Sequence, residues 1–375
     1  MSEVFMYLSH RIVYAFSILS IAASASATAH DVQNVKPISA APDKTTVRER
    51  DVVNTPVPVV QYGRLNVAAQ SGLAEVPIAV SRDWTQPQGD VTRAVVVIPG
   101  WPRRDLRSGE HAAEVAGAAS LGAIIVTPQF LTARDIAAHN LPGTVLRWRE
   151  NDWPQGKPSD DVAAVSSFKV IDAIFEHLAN RAIFPNLQTI VLAGHSAGGQ
   201  FVQRYAVLGR GDANLGGAPI HVRYVVANPA TYLYLTDQRP DSGGAFVPFS
   251  AASCPTFNHW NYGLHAGVPP YSQPQAPDDE LRARYLGRDV VYLLGTADDV
   301  PNADGMDHSC GAEAQGATRY RRGLAFNAYV HMLDPRTSQH VMEARGVGHS
   351  SYRIFSSVCG RAALFDASGC ESGSE

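Results

Sequence analysis

The chain has 375 residues, of which 45% are hydrophobic and 18% are charged, and its formal net charge is −4 at pH 7. This composition excludes a disordered or collagen-like chain and provides enough apolar side chains for a large core. The sequence has no basic block and no long run of like charges, so we expect no nucleic-acid partner.

The first 29 residues have the pattern of an export signal. Arg11 precedes an apolar run at 12–21, and small residues at 22–29 offer cleavage sites after Ala27 or Ala29. The run is short for a membrane span, which needs about 20 residues. We therefore predict a signal peptide at 1–29 and an exported protein, periplasmic or extracellular, without stable membrane insertion after cleavage. An uncleaved amphipathic anchor is the alternative.

Alternating strand and helix patterns then predict one doubly wound α/β domain. Residues 30–58 are polar and contain four prolines, which favours a flexible segment before a domain at 59–375. Strands and helices that alternate along the chain build a mostly parallel sheet. Strands are predicted at 63–69, 76–81, 94–98, 123–126, 189–192, 222–227, 289–294 and 340–345, and helices at 109–121, 160–181 (capped by Ser159 or Asp160) and 200–208.

The pentapeptide Gly194-His195-Ser196-Ala197-Gly198 lies between the strand at 189–192 and the helix at 200–208. A serine at the apex of such a turn, with glycines two residues to each side, is typical of a nucleophile elbow. A side chain at either glycine would collide with the neighbouring strand or helix. A glycine-rich turn that only packs is the alternative interpretation.

A serine hydroxyl needs a base to take its proton and a carboxylate to hold that base. Asp298 and Asp299 follow the buried strand at 289–294, so either carboxylate could reach a histidine above the sheet. His349 follows the last strand in a loop of small residues, while His308 and His340 are the alternatives. These groups come in the order serine, acid, histidine, which is the chain order of one known triad class.

With these motifs, the chain resembles the α/β-hydrolase superfamily on its esterase and lipase side. The resemblance covers roughly residues 60–366, and the elbow is its most specific part. It implies Ser196, Asp298 and His349 as the triad, because Asp298 matches the usual Gly-x-x-Asp spacing from Gly295. It also implies an oxyanion hole built from the backbone amides of Trp101 and Ala197. The chain departs from the superfamily at Pro99-Gly100, where many members have His-Gly, so a narrower family is not assigned.

Two loops are predicted to build the substrate pocket. About 60 residues, at 229–288, separate two consecutive strands, and in this superfamily insertions at this point often form a lid over the serine. The insertion is rich in aromatic residues, of which Trp260 and Tyr262 are predicted to bind substrate. The loop at 131–158 adds Trp148 as a third candidate. A loop with a small core of its own is the alternative for the insertion.

Four cysteines in an exported chain favour disulfide bonds. Three connectivities are possible, and we favour Cys254–Cys310 and Cys359–Cys370. The segment Asn302-x-Asp304-Gly305 imitates part of a calcium loop, but Val300 would stand at the first ligand position and no glutamate closes the loop. We predict no metal and no cofactor.

The sequence therefore predicts an exported serine hydrolase that cleaves a small-molecule or polymeric carboxylic ester through an acyl-enzyme. A peptidase, amidase or acyltransferase with the same triad is the nearest alternative. A non-catalytic binding protein on a hydrolase scaffold is the alternative from another class. The sequence leaves the oligomeric state open.

Overall fold

The computed structural model describes residues 55–69, 72–213, 215–217 and 219–371. The predicted signal peptide and most of the segment at 30–58 lie outside the described residues. Val57 belongs to the packed domain, because its side chain is buried against Leu131 and Val145 and its amide donates to Asp135 Oδ1 over 2.8 Å. The domain therefore begins before residue 59, the predicted boundary.

One large sheet organises the described chain. Its eight strands run in the order β1-β2-β4-β3-β5-β6-β9-β10. β2 is antiparallel to β1 and β4, and all other neighbours are parallel. The strands are β1 Gly63–Ala68, β2 Leu73–Val80, β3 Arg93–Ile98, β4 Ala123–Pro128, β5 Thr189–His195, β6 His221–Ala227, β9 Asp289–Gly295 and β10 His340–Ala344.

Helices cover both faces of this sheet, which explains why its central strands are continuous apolar runs. Along β3, Val95 and Val97 belong to one buried cluster, while Ala94, Val96 and Ile98 belong to the other. This is the two-residue alternation of a strand. The helices are α1 Ser108–Ala116, α2 Ala133–Ala138, α3 Ser167–Leu178, α4 Ala197–Leu208, α5 Asp278–Leu286, α6 Cys310–Glu313, α7 Arg319–Leu333, α8 Ser351–Ser356 and α9 Val358–Phe365. The predicted doubly wound, mostly parallel fold is confirmed.

One predicted helix begins at the wrong place. The pattern favoured a helix at 160–181, but α3 begins at Ser167, and Ser166 caps it by accepting from the amide of Phe168. The Asp161 carboxylate instead accepts from the amides of Arg147 and Ala163, which holds the segment before α3 as a loop. Short polar side chains that bond nearby backbone compete with helix formation in this way.

The insertion at 229–288 packs against α7. It contains a small hairpin of β7 Gln238–Pro240 and β8 Phe246–Pro248, together with α5. Tyr232 and Tyr234 are fully buried and contact the ring of Phe326 on α7, at centroid distances of 4.6 and 5.1 Å. These aromatic side chains extend the core, which corrects the prediction that the insertion's aromatic residues line a pocket.

Two disulfide bonds join the pairs that the sequence favoured. Cys254–Cys310 connects the insertion to the segment after β9, and Cys359–Cys370 joins the first turn of α9 to the segment that follows the helix. Among the described residues, no helix combines the length and apolar character that crossing a bilayer would require.

The two disulfides should differ in their contribution to stability. Cys254–Cys310 closes a loop of 56 residues and Cys359–Cys370 one of 11. The chain-entropy model gives about 4 kcal/mol for the longer loop and about 3 kcal/mol for the shorter one. We expect the Cys254→Ser/Cys310→Ser variant to lose more unfolding free energy in urea than Cys359→Ser/Cys370→Ser. Equal losses, or the reverse order, would contradict this expectation.

Candidate active site

Ser196 stands at a sharp turn between β5 and α4. Its backbone φ is +59°, a value in the left-handed region that serine rarely adopts. A Cβ added to Gly194 would lie 2.2 Å from the Gly198 carbonyl oxygen, and one added to Gly198 would lie 2.2 Å from that of Ile98. Only glycine fits at either position, so the turn has the geometry expected of a nucleophile elbow.

The other two predicted triad side chains lie beside this serine. His349 Nε2 is 3.0 Å from Ser196 Oγ, and His349 Nδ1 is 2.7 Å from Asp298 Oδ2. The first contact allows the serine hydroxyl to donate to the imidazole, and the second allows the imidazole N–H to donate to the carboxylate. This is the arrangement in which a histidine can act as a base while a carboxylate fixes its orientation.

Backbone contacts between two loops bring the acid and the histidine together. The amide of Thr296 donates to Ala344, and that of Ala297 donates to Val347. A Cβ at Gly295 would lie 2.4 Å from the Val347 carbonyl oxygen, so this glycine permits the close approach. The loop after β9 is thus fastened to the loop after β10, which carries His349.

The alternative acid and bases have other partners. Asp299 accepts from Thr318 Oγ1 over 2.6 Å and from Arg321 over 3.0 Å, at the start of α7. His308 contacts Glu313, and His340 contacts the carbonyl of Ser338. None of these contacts leads to Ser196.

Asp298 is buried with a cation on its other oxygen. Its side chain is 3% exposed, and Arg319 Nη1 lies 3.5 Å from Oδ1. Arg319 also donates to the carbonyl of Asp304, in the loop that follows the acid. A carboxylate withdrawn from water needs such compensation, because desolvation of an isolated charge is unfavourable. Arg319 therefore stabilises the buried carboxylate of Asp298 and fixes the loop after β9 through the carbonyl of Asp304.

His195 packs directly against His349, with ring centroids 4.4 Å apart. Burial lowers the pKa of His195 well below 6.5, and the neighbouring charges of His349 and Arg319 act in the same direction. Its Nε2 has no hydrogen-bond partner within the described part of the chain. His195 is therefore a neutral ring that packs against the imidazole of His349.

The two predicted oxyanion-hole residues flank the elbow. Ala197 is the first residue of α4, where backbone amides have no partner within the helix. A Cβ at Gly100 would lie 2.8 Å from the carbonyl oxygen of His195, so the loop after β3 passes close to the turn. Trp101, the next residue, lines the same cavity as Ser196.

A cavity of about 660 Å³ opens beside Ser196. Most of its lining side chains are amides or charged groups, which is unlike the largely apolar lining of many ligand pockets. The lining comes from five parts of the fold, namely the loop after β3, the loop before α3, α4 with the turn that precedes it, the segment after β6 and the segment after β9. Its residues are Trp101, Glu150, Asn151, Pro154, Gln155, Ser196, Gln200, Arg204, Ala230, Asn261, Gly305, Met306 and Asp307.

The three predicted substrate-binding aromatics do not belong to this lining. Trp148 is 1% exposed and donates from its indole to the carbonyl of Lys157, while Trp260 is 5% exposed and donates to that of Gln155. Both indoles are core side chains that support the cavity wall from behind. Tyr262 contacts the lining without belonging to it, because its hydroxyl donates to the lining residue Asp307.

Sequence reasoning missed the polar lining. Gln200 and Arg204 follow Ser196 at spacings of four and eight residues on α4, a periodicity that places them on one helix face. That signal was available from the sequence. In the loop before α3, Trp148 was predicted to lie in the pocket. The structure instead buries the tryptophans of this loop and places Glu150, Asn151 and Gln155 in the cavity lining.

Among the described residues, no group of three or more histidine, cysteine, aspartate or glutamate side chains could hold a metal ion.

Comparison with known proteins identifies only structural neighbours, since no family model and no curated protein matches the sequence. A poly(3-hydroxybutyrate) depolymerase from Bordetella parapertussis superimposes with a TM-score of 0.55 at 18% identity, covering 82% of this chain and 92% of that one. A poly(aspartic acid) hydrolase from Sphingomonas sp. KT-1 gives 0.50 at 20% identity, covering 80% and 96%. At these identities the likeness is one of fold. The chain therefore has the α/β-hydrolase fold that its elbow and strand pattern implied.

Proposed function

We propose that the chain is a serine hydrolase that cleaves carboxylic esters through an acyl-enzyme. The hydrogen-bonded series Ser196–His349–Asp298, with contacts of 3.0 and 2.7 Å, carries this proposal. A nucleophile within reach of a base that is itself oriented by a carboxylate is the geometric signature of this chemistry.

In the first half of the reaction, His349 Nε2 takes the proton of Ser196 as Oγ attacks the acyl carbon. Asp298 holds the Nδ1–H tautomer of the imidazole and stabilises the imidazolium that forms. The amides of Trp101 and Ala197 would bind the oxyanion, and two such donors contribute a few kcal/mol to transition-state stabilisation. His349 then gives its proton to the leaving alcohol.

In the second half, a water molecule attacks the acyl-enzyme. His349 takes a proton from that water, and the tetrahedral intermediate again places its oxyanion between the two amides. When this intermediate collapses, His349 returns the proton to Ser196 Oγ and the acid is released. The side chain of His349 is 28% exposed, so solvent water has access to the base.

We also propose that the protein is exported. The pattern of residues 1–29 and the two disulfide bonds support this, because disulfides persist mainly in oxidising compartments. Growth of a producing bacterium followed by fractionation, with N-terminal sequencing of the product, tests both export and cleavage near Ala29.

Ser196→Ala should lower kcat for p-nitrophenyl esters by about 10⁴- to 10⁶-fold, because it removes the hydroxyl that forms the acyl-enzyme. Wild-type protein should react with a fluorophosphonate probe at Ser196, and the variant should not. Activity of the variant close to that of the wild type would refute the assignment of the nucleophile. A parallel series of p-nitroanilides shows whether the enzyme prefers esters to amides.

The two neighbouring carboxylates offer a matched test of the acid. Asp298→Asn should lower kcat by about 10²- to 10⁴-fold, since the imidazole would lose the partner that fixes its tautomer. Asp299→Asn should retain near wild-type kcat, because Asp299 bonds Thr318 and Arg321 instead. Circular dichroism and thermal unfolding serve as folding controls. If Asp299→Asn caused the larger loss in kcat, the assignment of the acid would be wrong.

A further inference from the structure

Arg204 lines the cavity beside Ser196 although its side chain is only 2% exposed. It lies eight residues after the serine, about 12 Å further along the axis of α4. An arginine on a helix leans back toward the N-terminus, which brings its guanidinium closer to the serine than this spacing. A buried cation therefore forms part of the cavity lining beside Ser196.

Most buried arginines of this fold have a carboxylate partner. Arg103 pairs with Asp135, Arg288 with Asp212, Arg319 with Asp298 and Arg322 with Glu313. Arg239 lacks one, but its two terminal nitrogens donate to five oxygens.

Arg204 has no ion pair among the described residues and makes fewer hydrogen bonds than Arg239. It donates to the carbonyl of Pro154 over 3.0 Å and makes two contacts of 3.4 Å, to Thr231 Oγ1 and the carbonyl of Asn261. It forms no ion pair with a carboxylate within the described ranges. A guanidinium has five N–H donors, so donor capacity remains. Burial lowers the pKa of Arg204 to about 10, although the charges of Tyr262 and Asp307 act in the opposite direction, so the nearby carboxylate only partly offsets the loss of hydration.

We propose that Arg204 binds a carboxylate of the substrate, so that the preferred esters carry an acidic group in their acyl or alcohol part. A carboxylate is the planar acceptor that a guanidinium binds best. Gln200, one helical turn nearer to Ser196, offers an amide between the reacting centre and this charge. The inference rests on the proposed hydrolase function and adds the substrate class.

Two carboxylates also line the cavity, and their positions are compatible with this proposal. Asp307 accepts from the hydroxyl of Tyr262 and from the amide of Ser309, and its charge is shared between Arg322 and Arg204. Glu150 lies in the half-exposed loop before α3, where solvent screens its charge. Neither carboxylate is within ion-pair distance of Arg204, so its guanidinium can still pair with a carboxylate of a ligand.

The experiment compares matched neutral and acidic esters. The acyl pair is the mono-p-nitrophenyl ester of adipic acid against p-nitrophenyl hexanoate. The alcohol pair is the butyrate ester of 6-hydroxyhexanoate against hexyl butyrate. We expect wild-type protein to favour the acidic member of at least one pair by about 10- to 100-fold in kcat/KM, the range of a hydrogen-bonded charge pair. The difference should appear mainly in KM.

Variants then assign the preference to one side chain. Arg204→Met should abolish the preference for the acidic ester, and Arg204→Lys should retain part of it. Arg284→Met is the matched control, because it removes a guanidinium that donates to the last turn of α4, at Val207, outside the cavity lining. Its preference should equal that of the wild type.

The inference is overturned if wild-type protein treats both members of both pairs alike, or if Arg204→Met keeps the preference. The wild-type comparison and Arg204→Lys decide the matter should Arg204→Met fail to fold. Hydrolysis of the neutral esters, abolished by Ser196→Ala, without any acidic preference would remove the subsite and leave the hydrolase proposal standing. Absence of Ser196-dependent hydrolysis of every ester would remove both.

Discussion

The candidate site depends on the contact between the loops that follow β9 and β10. These strands are parallel neighbours, so their carboxyl ends reach the same edge of the sheet. The amide of Ala297 donates to the carbonyl of Val347, and Gly295 allows the two backbones to touch. Asp298 and His349 each lie within two residues of that contact. The distance between their side chains is therefore set by backbone, which is more rigid than a pair of long side chains.

A second constraint is electrostatic. Asp298 is almost fully buried, and its two oxygens face different partners, Arg319 on one and His349 on the other. The permanent charge of Arg319 compensates the buried carboxylate while His349 is neutral. During the proposed reaction the imidazole of His349 becomes positive while the oxyanion carries the balancing negative charge, and the adjacent ring of His195 stays neutral and does not compete for the proton. Because Arg319 also bonds the Asp304 carbonyl, the same side chain joins the acid to the wall of the cavity.

The elbow could be predicted from sequence because local sterics determine it. Gly194 and Gly198 lie two residues to each side of Ser196, and a Cβ at Gly194 would collide with Gly198 in the same turn, while one at Gly198 would collide with Ile98 on the neighbouring strand β3. The order of serine, acid and histidine follows from strand succession, which short connections preserve. Four cysteines allow three disulfide connectivities. The structure has the one that the sequence favoured, Cys254–Cys310 with Cys359–Cys370. In each case a short-range or topological rule was sufficient.

The cavity lining could not be predicted by the same means, because it depends on which face of an irregular loop turns inward. The indole of Trp148 could equally have faced a ligand, but packing against Phe130 places it in the core. The aromatic residues of the insertion were predicted to line the pocket because insertions at this point of the fold often form a lid, whereas Tyr232 and Tyr234 pack against Phe326 of α7. The start of α3 was misplaced because Asp161 bonds nearby amides, which periodicity does not report.

Arg204 connects two of the segments that line the cavity. It bonds Pro154 in the loop before α3 and Asn261 in the insertion, so the guanidinium braces these segments as well as lining the space between them. If Arg204 only connected these segments, neutral donors would do so with a smaller desolvation cost, because a buried cation without an ion-pair partner is unfavourable. The other buried arginines among the described residues either pair with a carboxylate or, in the case of Arg239, donate to five oxygens of the protein. Arg204 makes three hydrogen bonds and no ion pair among the described residues, and it lines a polar cavity beside the serine, which suits a ligand that brings a carboxylate.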